Sequence, residues 1–316
     1  MIQRFYNSLK GSLLILIILT QGYISLAQQG QPVIPLWEED QLIFPEYEYE
    51  EKYDSTDIVR IQRVTSPSIE VYLPAKKNRK NIGVVICPGG GYGILAWDWE
   101  GTDFAKKLNS AGISAFVLKY RLPFSVDGKT DDTMPMRDAM RAIQIVRKNA
   151  SEWGLSESNI GIMGFSAGGH LASSVGVHFK DQALLDGISE DTTSVRPDFM
   201  ALIYPVISFT EEAITHSGSR KNLLGATLSQ QKKEYYSSEL QVTEDTPPTF
   251  LIHAGDDKGV PVENSLVMYE ALQQQGVEAE LHVFPYGGHG FGLGLNQGRI
   301  SEWPDLLIRW IMAQKQ

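Results

Sequence analysis

Along residues 81–312 the apolar positions follow two alternating rhythms. Short, mainly apolar runs suit strands: Ile82–Ile86, Ile113–Tyr120, Ile160–Phe165, Phe199–Val206, Thr249–His253 and Ala279–Phe284. Between them lie segments with helical spacing. Thr102–Asn109 ends near Gly112, and Met136–Asn149 carries Met136, Met140, Ile143 and Val146 behind Pro135. Glu263–Gln274 and Leu306–Met312 complete the series. Alternation of this kind predicts an α/β fold, a mostly parallel central sheet with helices on both faces.

Three segments depart from the rhythm. From Gln28 to about Asp57 the chain is acidic, aromatic and irregular, and reads as a solvated lead-in that packs its aromatics on the domain. Arg60–Arg63 and Ser68–Leu73, with Pro67 between them, read as the two strands of a starting hairpin. A polar stretch between Phe209 and Pro247 holds short helical pieces around Glu211 and Ser229. It falls between two strands, on the edge where open α/β sheets bind ligands, so a small cap insertion is expected over about 209–247.

The first 27 residues read differently again. Arg4 and Lys10 precede the apolar run Leu13–Leu19, and Ser25-Leu26-Ala27 offers the small residues of a cleavage site before Gln28. The run is shorter than the ~20 residues of a spanning helix, so a cleaved signal peptide is expected, with export to the periplasm or medium. No membrane anchor is expected after cleavage. Residues 28–316 then form one domain, and loss of Arg4 and Lys10 takes the formal charge from −10 to −12. Such an acidic chain is a poor partner for nucleic acid or anionic membranes. Cys87 is the sole cysteine, which excludes an intramolecular disulfide, and at the end of Val84-Val85-Ile86 it reads as a small buried hydrophobe. No metal cluster or cofactor motif is visible, so none is expected.

The chemistry gathers at Gly164-Phe165-Ser166-Ala167-Gly168, between a strand pattern and a helix pattern. A serine on such a turn has its hydroxyl pushed out of the sheet, with a helix N-terminus beneath it. It needs a base, for which a histidine oriented by a carboxylate is suited. Of the six histidines, His170 and His178 follow Ser166 too closely to fold back over it. His253 and His282 fall in or at the end of strands, and His216 falls in the polar insertion. His289, in Tyr286-Gly287-Gly288-His289-Gly290-Phe291-Gly292 directly after the last strand, can reach the sheet's carboxyl edge. Asp256 and Asp257 lie after the preceding strand, and adjacent side chains on a turn point apart, so only one faces His289. Pro88-Gly89-Gly90-Gly91-Tyr92 follows the Ile82–Ile86 strand and can aim N–H groups at an oxyanion, as can the N–H of Ala167.

Taken in order, Pro-Gly-Gly-Gly-Tyr, Gly-Phe-Ser-Ala-Gly-Gly-His, Asp-Asp-Lys-Gly-Val-Pro and Gly-Gly-His-Gly-Phe-Gly resemble the α/β-hydrolase serine esterases. More closely they resemble the bacterial acetyl xylan esterases and related carbohydrate esterases. The resemblance runs from about Pro67 to the last helix and implies an α/β-hydrolase fold with a Ser166, Asp257, His289 triad. Asp257 is favoured because it stands four residues after His253 and three before Val260-Pro261, the offsets of that pattern; Asp256 would then be a local turn former. It also implies an oxyanion hole from Gly90, Gly91 and Ala167. Relatives often carry histidine where Pro88 stands, which leaves that loop's packing partner open. Tyr92, Trp97 and Trp99 are the expected substrate-facing aromatics, the two indoles either stacking on sugar rings or packing under the cap.

The implied activity is secreted carboxylester hydrolysis, removing acetyl or other small acyl groups from a polysaccharide such as xylan. Two alternatives stand beside it: a peptidase resembling the prolyl oligopeptidase catalytic domain, and a non-catalytic carbohydrate-binding relative.

Overall fold

A computed structural model describes residues 31–38, 50–123, 125–126, 129–186, 188, 192–226 and 228–314. The expected signal peptide and part of the acidic lead-in lie outside the described residues. Val33–Gln316 forms one unit.

The strands are β1 (Val33–Pro35), β2 (Lys52–Asp54), β3 (Arg60–Gln62), β4 (Ser68–Tyr72), β5 (Gly83–Cys87), β6 (Leu95–Ala96) and β7 (Ser114–Lys119). There follow a ribbon of β8 (Ser125–Val126) and β9 (Lys129–Thr130), then β10 (Ile160–Phe165), β11 (Met200–Ile203), β12 (Thr249–Ala254) and β13 (Ala279–Phe284). The helices are α1 (Asp103–Ser110), α2 (Met134–Lys148), α3 (Ala167–His178), α4 (Gln182–Leu185), α5 (Ser217–Leu224), α6 (Gln230–Tyr235), α7 (Glu263–Gln274) and α8 (Trp303–Ala313).

Eight strands form the main sheet in the order β1-β4-β7-β5-β10-β11-β12-β13. All neighbours from β7 to β13 pair in parallel, while β4 pairs antiparallel with β7 and β1. Side chains alternate between two apolar layers. Val85, Ile162 and Leu202 pack with Met140 and Ile143 of α2 and Leu171 of α3. Val84, Met163 and Ala201 pack on the other face with Phe104 of α1 and Trp303 and Leu307 of α8. The strands therefore read as continuous apolar runs because both faces are covered.

The expected hairpin does not form. Ser68–Tyr72 is buried on both faces save at Glu70, which only a strand inside the sheet allows, and it pairs with β1 and β7. Arg60–Gln62 buries only Ile61 and joins β2 and β6 in a separate three-stranded sheet. The lead-in is likewise not wholly irregular, since it contributes β1 and β2. The strand expected over Phe199–Val206 stops at Ile203, because Tyr204 turns the chain with φ 37°.

The chain order places the site. From β5 it passes through α1 to β7 on one side, then through α2 to β10 on the other side of β5. The winding reverses between β5 and β10, and their carboxyl ends open a crevice there. Two loops meet at that crevice: the glycine loop after β5 and the serine turn after β10.

Candidate active site

Ser166 lies between β10 and α3 with φ 50° and ψ −117°. A non-glycine residue in that region costs on the order of 1–3 kcal/mol and persists only where the surroundings impose it. Here the main chain is pinned on both sides. Its N–H donates to Ile203 O at 2.9 Å, and its carbonyl accepts from Val206 and His170 N–H at 3.1 Å each. The flanking glycines are steric necessities. A Cβ on Gly164 would lie 1.9 Å from Gly168 O, and one on Gly168 would lie 2.1 Å from Cys87 O.

Ser166 Oγ is 2.8 Å from His289 Nε2, and His289 Nδ1 is 2.7 Å from Asp257 Oδ2. A carboxylate only accepts, so Nδ1 carries the proton and Nε2 is free to take one from the serine. Asp257 is buried, which by itself raises its carboxyl; hydrogen bonds from His253 and His289, the charge of His289 and the Val260 N–H more than reverse this. Its pKa is held well below the usual carboxylate range, so it stays ionised. The second oxygen, Oδ1, accepts from the N–H groups of Gly259 and Val260 at 2.8 and 2.9 Å. His253, fully buried, braces this turn: its Nε2 is 2.9 Å from Val260 O and 3.3 Å from Asp257 Oδ2, and its Nδ1 is 2.8 Å from Ser265 Oγ.

Asp256 does not act as a local turn former. Its Oδ1 reaches across to the histidine loop and accepts from Gly287 and Gly288 N–H at 2.9 and 2.8 Å. The same loop is held at three further points. Trp99 Nε1 donates to Gly290 O at 2.8 Å, Gly292 N–H to Tyr204 Oη at 3.2 Å, and Trp303 Nε1 to Gly292 O at 3.0 Å.

Two residues that the sequence reading passed over complete the floor. Glu100 is buried; its Oε2 accepts from Gly89 N–H at 2.9 Å and its Oε1 from Tyr204 O–H at 2.8 Å. Burial raises its pKa, against the Tyr204 hydrogen bond, the charge of His289 and the Gly89 N–H. Glu100 and Tyr204 thus tie the glycine loop to the histidine loop. The Tyr204 ring also stands edge-on to His289, 5.2 Å between centroids. Neither residue carries a sequence signal, because each acts through a fold contact rather than a motif.

Gly90 and Gly91 have φ of 127° and 63° and, with Ser166 and His289, line a cleft of about 600 Å³. A Cβ on Gly90 would fall 2.3 Å from Ile94 O, so the loop cannot take its shape with any other residue there. Ala167, first in α3, places its N–H beside the serine. Pro88 meets the open question of this loop's partner, since its carbonyl accepts from Tyr120 O–H at 2.7 Å.

Of the three aromatics expected to face substrate, only Trp99 lines the cleft, together with Ile58, Ala96 and His216. Tyr92 is buried, its hydroxyl 2.8 Å from His170 Nδ1, so the backbone turn at φ 58° sends it inward. Trp97 packs against both apolar layers instead. His170 Nε2 in turn lies 2.8 Å from Tyr236 O, which links the serine helix to the segment between β11 and β12.

The BD-FAE family model matches residues 69–272. The acetylxylan esterase of Xylanibacter ruminicola is 37% identical over 227 residues, covering 71% of this chain and 43% of that protein. The endo-1,4-beta-xylanase B of Butyrivibrio fibrisolvens is 36% identical over 276 residues, covering 85% of this chain and 39% of that protein. This chain therefore spans about two-fifths of the length of these curated relatives. The crystal structure of an acetyl ester-xyloside bifunctional hydrolase from Caldicellulosiruptor lactoaceticus superposes with a TM-score of 0.74 at 36% identity, covering 91% of this chain and 97% of that one.

Proposed function

This chain belongs to the BD-FAE family and has the α/β-hydrolase fold, and from that premise we propose that it is a serine carboxylesterase. Its substrates are acetyl or other small acyl esters on plant polysaccharide such as xylan. The observation that carries the reading is the hydrogen-bonded line Asp257–His289–Ser166, ending on a strained turn that opens into the cleft.

In this reading Ser166 Oγ attacks the ester carbonyl while His289 Nε2 takes its proton. Asp257 holds the ring in the required tautomer and stabilises the imidazolium. The N–H groups of Gly90, Gly91 and Ala167 hold the oxyanion, and losing one such donor typically costs ~3 kcal/mol in the transition state. The alcohol leaves with the proton from His289, giving an acyl-serine. Water, activated by the same imidazole, then releases the acid and restores Ser166. Glu100 and Tyr204 keep the oxyanion and histidine loops in register.

The named activities of the acetylxylan esterase and xylanase B relatives support the polysaccharide substrate. The leader pattern Arg4, Lys10, Leu13–Leu19 supports export. The segment between β11 and β12, which brings His216 to the cleft, supports a cap over the site. Because one relative also cleaves xylosides by name, the cleft's carboxylates bear on the choice of reaction. Glycoside cleavage needs a pair of carboxyl groups free to act on the scissile bond. Asp57 and Glu100 line the cleft, but both Glu100 oxygens accept bonds inside the protein and Asp57 is held by Arg60. Ester hydrolysis is the better-supported reaction.

The test is a hydrolysis panel of acetylated xylan, feruloylated arabinoxylan, simple aryl acetates and aryl xylosides. Acetate release from xylan and from aryl acetate is expected. Failure on every ester, with the protein folded, would overturn the esterase reading; cleavage of aryl esters alone would overturn the polysaccharide reading.

A further inference from the structure

His216 shares the cleft with Ser166 and His289, yet the ester chemistry above gives it no task. It is the N-cap of α5, where its side chain accepts from the backbone N–H of Ser219. Nδ1 is 3.2 Å from that nitrogen and 2.7 Å from Ser219 Oγ. A backbone N–H can only donate, so Nδ1 carries no proton and the neutral ring holds its hydrogen on Nε2. Among the described residues no hydrogen-bond partner meets Nε2. The ring is turned toward the glycine loop: its Cε1 lies 3.9 Å from where a Cβ on Gly91 would sit. Burial, and then the charge of His289, lower its pKa, against the charge of Asp257. The capping bond therefore fixes a single tautomer that presents one N–H donor to whatever fills the cleft.

We propose that His216 is a specificity-determining residue, its Nε2–H donating to a hydroxyl or ring oxygen of the sugar that bears the ester. The carbonyl oxygen is already served by the N–H groups of Gly90, Gly91 and Ala167, so the spare donor requires a second acceptor nearby. A saccharide supplies acceptor oxygens on the carbons next to any ester. A simple aryl acetate supplies none at that place, and a site built to hydrogen-bond an oxygen discriminates against the analogue that lacks it. The inference rests on the polysaccharide-ester reading above and names how that substrate is recognised.

Serine and asparagine both cap helices well, so His216→Ser and His216→Asn keep the bond to Ser219 N–H, while their shorter side chains leave no donor at the position of Nε2. The quantity to measure is the ratio of kcat/KM on acetylated xylo-oligosaccharides to kcat/KM on p-nitrophenyl acetate. In both variants it should fall about 3- to 12-fold, the worth of one hydrogen bond to substrate. An unchanged ratio in both, whether activity is kept or lost equally on the two esters, would overturn the proposal. If the unaltered enzyme hydrolyses p-nitrophenyl acetate but no saccharide ester, the substrate reading fails and takes this one with it. If it hydrolyses both and the ratio holds in the variants, only the role of His216 fails.

Discussion

Asp256 and Asp257, neighbours on one turn, grip the same distant loop in two different ways. Asp257 Oδ2 holds the ring of His289 through Nδ1 at 2.7 Å, while Asp256 Oδ1 holds the loop's backbone at Gly287 and Gly288. One carboxylate orients the imidazole, and the other fixes the height of the chain that carries it. Four of the loop residues, Gly287, Gly288, Gly290 and Gly292, are glycines, so its shape depends on such external holds together with the buried ring of Phe291.

The two acids should separate on substitution. Asp257→Asn leaves the turn intact but favours the wrong tautomer of His289 and cannot stabilise its charge, so kcat on p-nitrophenyl acetate should fall by ~10³- to 10⁴-fold. Asp256→Asn keeps an oxygen for both glycine N–H groups and should cost only a few-fold. Asp256→Ala removes the hold on Gly287 and Gly288, leaves the loop tied only by its other contacts, and should cost about 10- to 100-fold. Steady-state kinetics on the three variants check this. Equal losses in Asp256→Asn and Asp257→Asn would show that the Asp256 charge matters and not merely its acceptor.

Ser166 trades stability for its position. Ser166→Ala should abolish turnover, since among the described residues no other hydroxyl meets His289 Nε2. Ser166→Gly should abolish it too, and it also removes the strain of φ 50°. Relief of ~1 kcal/mol would raise the melting temperature by roughly 1–2 °C in a chain of this size. Calorimetry on the three proteins decides it: a Gly variant melting below the parent by several degrees would mean the turn is not strained.

The pair Glu100 and Tyr204 should behave as one unit. Tyr204→Phe leaves a buried carboxylate oxygen and the Gly292 N–H without their partner, a loss of ~2–3 kcal/mol of stability. Glu100→Gln still accepts from Gly89 but turns its amide toward Tyr204, and should lower kcat by about 10-fold with little change in KM. Urea unfolding of both single variants and the double variant should show coupling of at least ~1 kcal/mol. Additive effects would mean the two loops are not linked through this bond.

Much of the fold was legible because burial leaves a plain record in the chain. β10, α7 and β13 occupy the spans their apolar patterns predict, Ile160–Phe165, Glu263–Gln274 and Ala279–Phe284. That Ser166, His289 and one of Asp256 and Asp257 meet was legible from order, since parallel strands bring the loops at their carboxyl ends to one edge, whereas the choice of Asp257 rested on the family resemblance. Pairing partners were not. Arg60–Gln62 and Ser68–Tyr72 look alike in composition, and only the three-dimensional sheet separates the strand buried on both faces from the one buried on one. The supports of the site were also hidden. Glu100, Tyr204 and the reach of Asp256 depend on contacts made 104, 88 and 31 residues along the chain, respectively. Tyr92 misled because its position behind the glycines says nothing of the positive φ that turns it inward.

Acid should weaken the fold through His170. Burial pushes its pKa from 6.5 down to about 4, partly offset by the carbonyl of Tyr236. The unfolded chain therefore binds a proton between pH 6.5 and about 4 that the folded chain refuses. By linkage the stabilisation is present in full above pH 6.5 and is lost progressively as pH falls toward 4. The pKa of His178 is lowered in the same sense by burial, which steepens the loss. Asp257, held low in the fold, adds its own loss only at more acid pH, below the usual carboxylate range. The physical event at His170 is specific. A proton on Nδ1 removes the acceptor for Tyr92 O–H and places an unpaired charge between the glycine loop, the serine helix and Tyr236. Urea unfolding at a series of pH values from 7 to 4 should show free energy falling with pH. His170→Gln offers an oxygen for Tyr92 and an N–H for Tyr236 without a titrating group, so its curve should be flatter over that range while starting lower at pH 7. A parent curve that is level from pH 7 to 4, or a variant with the same slope, would place the acid sensitivity elsewhere.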